Sequence, residues 1–186
     1  TLRSICGIAA GATTANLSDQ GLGKASARII ALELRFNKSL KSADLGTNSI
    51  GDEGTLVLSD ALKSNSTLEN LELYDSKIGS AGAQSLAEML QVNRALTSVN
   101  LLKNYLGGGA AAVVAAAKQN GNIKALCGIE EGKSEVSFVN QGLKEPDAVL
   151  LSFDLEFNRA LTSLNLRGNE IGAGGAKAIA DSLPQS

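Results

Sequence analysis

Two hydrophobic rhythms alternate along the chain. In Leu68–Gly79, LENLELYDSKIG, apolar Leu71, Leu73 and Ile78 are set among Glu69, Asn70, Glu72, Tyr74 and Asp75. A period of two over so short a stretch predicts a β-strand with one buried face. From Ala83 the spacing changes, and Ala83, Leu86, Ala87 and Leu90 recur at steps of three and four, as on a helix with one apolar stripe. Ile29, Ile30 and Leu34 are expected to line the same stripe of an earlier helix. The helical stretches close on Asn37, Asn65, Asn93 and Asn158, with Asn120–Gly121 in one copy. Asn and Gly tolerate the left-handed conformation that ends helices, so these read as repeated stop signals.

The strand segment recurs. Leu40–Gly51 (LKSADLGTNSIG), Leu68–Gly79, Leu96–Gly107 (LTSVNLLKNYLG) and Leu161–Gly172 (LTSLNLRGNEIG) share the template L-x-x-L-x-L-x-x-N-x-L/I-G. Ala12–Gly23 and Lys133–Lys144 fit it more weakly, with Ala12, Ala15 and Lys133 where large apolar residues are usual. A longer repeat lies above this one: Thr1–Leu62 overlays Asn122–Leu183 without a gap at 20 of 62 positions, including CGI at Cys6–Ile8 and Cys127–Ile129. The expected organisation is one array, with short half-units at 2–11 and 123–132. Its full units fall at about 12–39, 40–67, 68–95, 96–122, 133–160 and 161–186. The chain begins at Thr1 and stops inside a repeat, so it is expected to be part of a longer array with further repeats or a partner covering its ends.

One strand and one helix cannot bury their own apolar faces, so neighbouring units must stack. At template position nine Gln20, Asn48, Ser76, Asn104, Gln141 and Asn169 are expected to satisfy backbone groups in the turn leaving each strand. Ser76, the weakest member, should leave unit three with the loosest turn. Small residues at Gly54, Gly82, Ala110 and Gly175 are expected to let helices approach the sheet.

The spacing and the wording of Ile78–Leu90 (IGSAGAQSLAEML) and Ile171–Leu183 (IGAGGAKAIADSL) resemble the ribonuclease-inhibitor-like class of leucine-rich repeats. That resemblance implies an α/β fold: a right-handed, curved solenoid with parallel strands on the concave face and helices on the convex face. It also implies binding of another protein along the concave face. The class includes the Ran GTPase-activating proteins, so regulation of a small GTPase is the alternative expectation, with Arg35, Arg94 and Arg159 as ordinary candidates. The CGI half-units depart from the regular period and are expected to disturb the curvature.

Composition narrows the function. The 186 residues contain no histidine, which removes the Ser–His and Cys–His nucleophile pairs and the commonest general base near neutral pH. A net charge of −2 and 3% aromatic residues argue against nucleic acid and anionic membranes as partners. Gly107–Ala112, GGGAAA, with Glu130 and Glu131 downstream, matches a GxGxxA dinucleotide fingerprint. However, Gly107 is the template glycine and the rest is a small-residue helix start. No cofactor, metal or small-molecule substrate is expected, and the chain reads as a non-catalytic protein-binding or scaffold module, a subunit of a larger assembly. Cys6 and Cys127 stand five strands apart, about 24 Å at strand spacing, too far for a disulfide. A buried thiol and an intracellular, cytoplasmic setting are expected. Three N-glycosylation patterns, at Asn16, Asn37 and Asn65, fall on a strand and two helix ends and read as chance matches.

The outward strand positions carry the site expectation. Template position seven presents Ser18, Gly46, Tyr74, Leu102, Val139 and Arg167, of which Tyr74, Leu102 and Val139 form an apolar column on an exposed face. Asp19, Asp44, Glu69, Glu72 and Asp75 form an acidic stretch toward the N-terminal half. Asn100 lies beside the column, and Lys103 and Arg167 supply basic charge further along. Apolar clusters rimmed by polar groups mark contact sites, and Tyr is a favoured anchor.

Overall fold

The computed structural model describes residues 7–9, 11–129 and 132–183. Short strands alternate with helices throughout: β1 (Thr14–Asn16), α1 (Lys24–Phe36), β2 (Ser42–Asp44), α2 (Gly51–Leu62), β3 (Asn70–Glu72), α3 (Ser80–Val92), β4 (Ser98–Asn100), α4 (Gly109–Asn120), β5 (Glu135–Ser137), α5 (Glu145–Phe157), β6 (Ser163–Asn165) and α6 (Gly172–Ser182). All pairing is parallel, with Ala15 opposite Ala43, Ala43 opposite Leu71, Leu71 opposite Val99 and Val136 opposite Leu164. Each partner lies 28 residues on, so the sequence period sets the register. The architecture is the expected α/β solenoid.

The core runs as a seam between strands and helices. Leu40, Leu45 and Ile50 of one unit, Leu68, Leu71, Leu73 and Ile78 of the next, and Leu96, Val99, Leu101 and Leu106 of the third are all buried. Burying each such side chain contributes about 1.5–3 kcal/mol, and none of it is available to a unit alone. Ala83, Leu86, Ala87 and Leu90 are buried on α3 as expected. On α1 the stripe is Ala27, Ile30, Ala31 and Leu34, whereas Ile29 is 43% exposed. The adjacent Ile29 and Ile30 point about 100° apart, and only one can face inward. The small helix residues act mainly between helices. A Cβ at Gly54 would sit 3.0 Å from Ala27 Cβ on α1, and one at Gly175 2.7 Å from Ala148 Cβ on α5.

Two amide ladders tie the units together. At position nine, Asn104 Oδ1 accepts from Ser76 N and Ile78 N, both at 3.0 Å, while its Nδ2 donates to Leu73 O and Leu101 O. Asn48 and Asn169 repeat this arrangement on the units before them. Each amide therefore serves the turn of the preceding unit. The turn of unit three is held by Asn104, and the weakness of Ser76 falls on unit two, where its hydroxyl reaches only Leu45 O and Tyr74 O.

The helix-end asparagines form the second ladder, and for a reason other than left-handed geometry. Asn37, Asn93 and Asn158 are extended (φ −70°, −68° and −83°), and among the helix ends only Gly121 adopts the left-handed cap (φ 75°). Asn65 Nδ2 donates to Leu34 O at 2.6 Å, and Asn93 Nδ2 donates to Leu62 O and Asn65 O. Their Oδ1 atoms accept from the second and third amides downstream. The side chain fills the corner where the chain leaves the helix, so Asn65 is not accessible for modification in the fold. Left-handed residues cluster instead in the turn after each strand, most regularly at template position eight, where Asp19, Thr47, Asp75, Lys103 and Asn140 have φ between 49° and 61° and Gly168 has φ 74°, and also at Lys77 of position ten (φ 59°).

The strand layer is interrupted once. β1 to β4 form one sheet and β5 and β6 another, with the CGI half-unit between them. Among its described residues that half-unit forms no strand of its own, but Lys124, Ala125 and Leu126 bond to the backbone of Thr97, Val99 and Leu101 alongside β4. Helix packing continues across the gap, α4 against α5, less extensively than in the other consecutive pairs. Cys127 is a buried free thiol, while Cys6 lies outside the described residues.

Candidate functional site

The interruption opens a cleft of about 460 Å³ on the strand face. One wall is the end of β4, with Asn100, Leu102 and Lys103; the floor is Cys127, Gly128 and Ile129; the other wall comes from the β5 segment, with Lys133, Glu135, Val136, Phe138 and Gln141. Tyr74 reaches it from β3. The cleft follows directly from the sequence. Lys133 occupies the template position where Leu40, Leu68 and Leu96 plug the core, and it is exposed. The half-unit also ends its strand-like stretch too soon to fill the gap.

Two buried carboxylates of α5 hold the edges of the opening. Asp147 Oδ1 accepts from Lys103 N at 2.7 Å, and Oδ2 accepts from Lys144 N at 2.8 Å. Asp154 accepts from Leu126 N at 2.6 Å and Cys127 N at 3.1 Å. Burial raises the Asp147 carboxyl above its ordinary value, against the opposing pull of its backbone donors and Lys144. At Asp154 burial outweighs the donors from Leu126, Cys127 and Ile129 and lifts the carboxyl to about 7. The Cys127 thiol is pushed far up by burial and by the charges of Asp154 and Asp147, so it is unreactive as a nucleophile.

Gly128 allows the floor to pass under β4. Its φ is +68°, and a Cβ there would sit 2.7 Å from Asn100 Nδ2, so both backbone and space require glycine. Gly46 plays a comparable part for Tyr74, whose ring occupies the space a Cβ would need. The tyrosine ring thus lies down over β2 and is half-buried. Lys103 Nζ donates to Gln141 Oε1 at 2.6 Å and spans the mouth of the cleft.

The expected contact residues divide accordingly. Tyr74, Asn100, Leu102 and Lys103 come together at the cleft. Leu102 is only 5% exposed, so it is part of the wall and not an outward apolar anchor; with the next strand missing, it packs into the core. Val139 is half-buried just past β5, and Arg167 is exposed on the second sheet beyond β6, away from the cleft lining. The acidic stretch is real but uneven. Glu69 is ion-paired with Lys41 at 2.5 Å, whereas Asp44, Glu72 and Asn100 succeed one another along the sheet. Burial, together with the neighbouring Asp44 charge, raises the Glu72 carboxyl in spite of its hydrogen bond to Asn100. Asp75 is exposed at its left-handed turn. The basic patch consists of Lys103 at the cleft, with Lys133 on the opposite wall.

Glu135, Phe138, Gln141 and Lys133 were not among the expected contacts. The departure of Lys133 from the template marked them, but only in combination with a half-unit too short to complete a strand. Gly109 of the dinucleotide-like run packs against α3, where a Cβ would meet Ala83 Cβ at 2.6 Å, which gives that glycine a packing role. Glu130 and Glu131 lie outside the described residues. Among the described residues no group of three or more His, Cys, Asp or Glu could hold a metal ion, and no helix is long and apolar enough to cross a membrane.

The leucine-rich repeat family model matches residues 64–87 and 157–180. No curated protein matches the chain. Among solved structures, the tropomodulin C-terminal domain of Caenorhabditis elegans shares the fold at a TM-score of 0.52 and 17% identity, covering 84% of this chain and 90% of that one. A leiomodin-1 structure, described as its actin-binding site 2, aligns at a TM-score of 0.48 and 16% identity, over 92% of this chain and 78% of that one.

Proposed function

Since the chain is a leucine-rich repeat protein, we propose that it is a non-catalytic protein-binding module whose partner engages the strand face around the cleft between β4 and β5. The observation that carries this reading is the cleft itself. Here the strand face is concave on the scale of a side chain, and Tyr74, Phe138, Lys103 and Gln141 gather around an apolar floor. Aromatic and cationic groups around a partly desolvated pocket are the usual anchors of a protein contact. Asp44, Glu72 and Asp75 extend the surface toward β2 and favour a partner with basic residues on that side.

The GTPase-regulator alternative gains no residue from the geometry. Arg35 is ion-paired with Asp60 at 2.8 Å on the helical face, and Arg159 lines a separate depression with Phe157 and Lys124. Unchanged GTP hydrolysis with the protein added is the expected result.

Affinity purification from native material with the wild-type chain and with Tyr74→Ala/Lys103→Glu tests the main reading. Both substituted side chains are outside the core, so the fold should survive, as circular dichroism would verify. Partners recovered by the wild type and lost by the variant support the reading. Equal recovery with both chains would refute it and move attention to the helical face.

A further inference from the structure

The sheet is open in its middle, and the opening has the form of a missing half-strand. Just before and after β5, Ser134 O accepts from Thr162 N and Ser163 N, Phe138 N donates to Asn165 O, and Asn140 N donates to Arg167 O. These even-numbered residues face β6. Successive residues of a strand turn their backbone groups to opposite edges, so Glu135, Ser137 and Val139 present theirs to the cleft. Among the described residues β5 pairs with β6 alone.

The opposite wall shows the same gap. Asp19, Thr47, Asp75 and Asn140 each donate their N–H to a carbonyl of the following unit. The equivalent amide of Lys103 finds no such carbonyl and goes to Asp147 Oδ1 instead. The half-unit accompanies β4 only as far as Leu126, whose carbonyl accepts from Leu101 N. Asp154 then draws Leu126 N and Cys127 N away beneath the cleft. The space left above the floor is lined by apolar Leu102, Ile129, Val136 and Phe138.

We infer that this gap receives an extended segment of a partner protein, which adds to the free edge of β5 as a strand. Its backbone bonds to the groups of Glu135, Ser137 and Val139, and an aliphatic side chain packs between Leu102 and Phe138. An acidic residue beside that side chain meets Lys103 at the mouth. A row of backbone donors and acceptors at strand spacing is complementary to another backbone, and main-chain bonds with alternate side-chain pockets are how strand addition works. The length suits it: a three-residue stretch spans about 10 Å. Strand pairing at an exposed edge is normally blocked by charge or brevity. Here β5 is three residues long, begins with the charged Glu135 and follows Lys133, so entry is confined to a segment that also fills the apolar floor. The inference rests on the strand-face reading above and specifies how the partner is held.

The test is selection of a random heptapeptide phage-display library against the full chain. Binding of the selected synthetic peptides is then measured by fluorescence polarisation. N-methylation of alternate peptide amides should weaken binding at least tenfold, with the intervening amides insensitive. Ser137→Pro removes an N–H that faces the cleft and leaves the β5–β6 bonds in place, and it should cost at least tenfold as well. The methylated peptides keep the test valid even if that variant folds poorly. If Lys103→Glu weakens binding but N-methylation and Ser137→Pro do not, strand addition is overturned and the strand-face reading survives. If Lys103→Glu, Tyr74→Ala and Ser137→Pro all leave binding unchanged, both fall. Failure of the library to yield any cleft-binding peptide would also overturn strand addition.

Discussion

The run from β1 to β4 and the junction that follows it satisfy the same backbone groups by different means. In the regular run each unit is completed by the next. Asn48 and Asn104 reach back to the preceding turn, Asn65 and Asn93 to the preceding helix end, and each strand's carbonyls take the amides of its neighbour. At the junction the neighbour is absent, and side-chain carboxylates substitute for it: Asp147 for the carbonyl that Lys103 N lacks, Asp154 for those that Leu126 N and Cys127 N lack. Neutral amides serve where the repeat supplies both a donor and an acceptor. Acidic side chains serve where only donors are left over. The surface follows from this difference, since a complete ladder presents a smooth face and an incomplete one leaves a cleft.

The comparison breaks most severely at Asp154. Asp154→Ala leaves the amides of Leu126, Cys127 and Ile129 without their acceptor, at roughly 1–3 kcal/mol for each that stays buried. Urea denaturation should show a loss of roughly 2–5 kcal/mol, and a loss under about 1 kcal/mol would mean the carboxylate is dispensable at the junction. The next effect is on pH dependence. The Asp154 carboxyl titrates near 7 in the fold and near 3.8 when unfolded. Between those values the folded state holds a proton that the unfolded state has released. Stability therefore falls as pH rises from about 4 to 7, by at most about 1.4 kcal/mol per unit, and levels off above. Asp147 shifts in the same direction. Denaturation at pH 5 and pH 8 should show a smaller difference for Asp154→Asn than for the wild type, and equal differences would contradict the assignment.

Within the regular run the expected effect is smaller and of opposite sign. Ser76→Asn restores the one ladder position with a hydroxyl in place of an amide and should stabilise the chain by about 1 kcal/mol. Protection of the unit-two turn against hydrogen exchange should rise with it, and a destabilised variant would show that Ser76 is there for its size. Smallest of all, Glu72→Gln relieves the like charge opposite Asp44 and should shift stability by no more than about 0.5 kcal/mol.

The repeat made most of the fold legible. A 28-residue period sets both the register of every strand pair and the identity of the buried leucines, because each is fixed by position within a unit. The helix-end asparagines were visible as a pattern, but their role was not, since a side chain reaching 31 residues back leaves no local trace. The site was half visible. Tyr74, Asn100 and Lys103 follow from the strand's alternation. The burial of Leu102 and the wall contributed by Phe138 and Gln141 depend on a strand that fails to form, and alternation cannot report a missing neighbour. Lys133 in place of leucine and the odd length of the half-unit were the two marks of that failure.

The junction also determines how the array responds to load. Between β1 and β4 a pull that separates neighbouring units must break the amide ladders, weakened only at Ser76, and a row of strand bonds together. Between β4 and β5 the half-unit's few backbone bonds to β4, the clasps of Asp147 and Asp154, the Lys103–Gln141 and Lys118–Glu156 side-chain contacts and the reduced contact of α4 with α5 stand in their place. Compliance is therefore concentrated at this seam, and a partner of the proposed kind would stiffen the array by filling it.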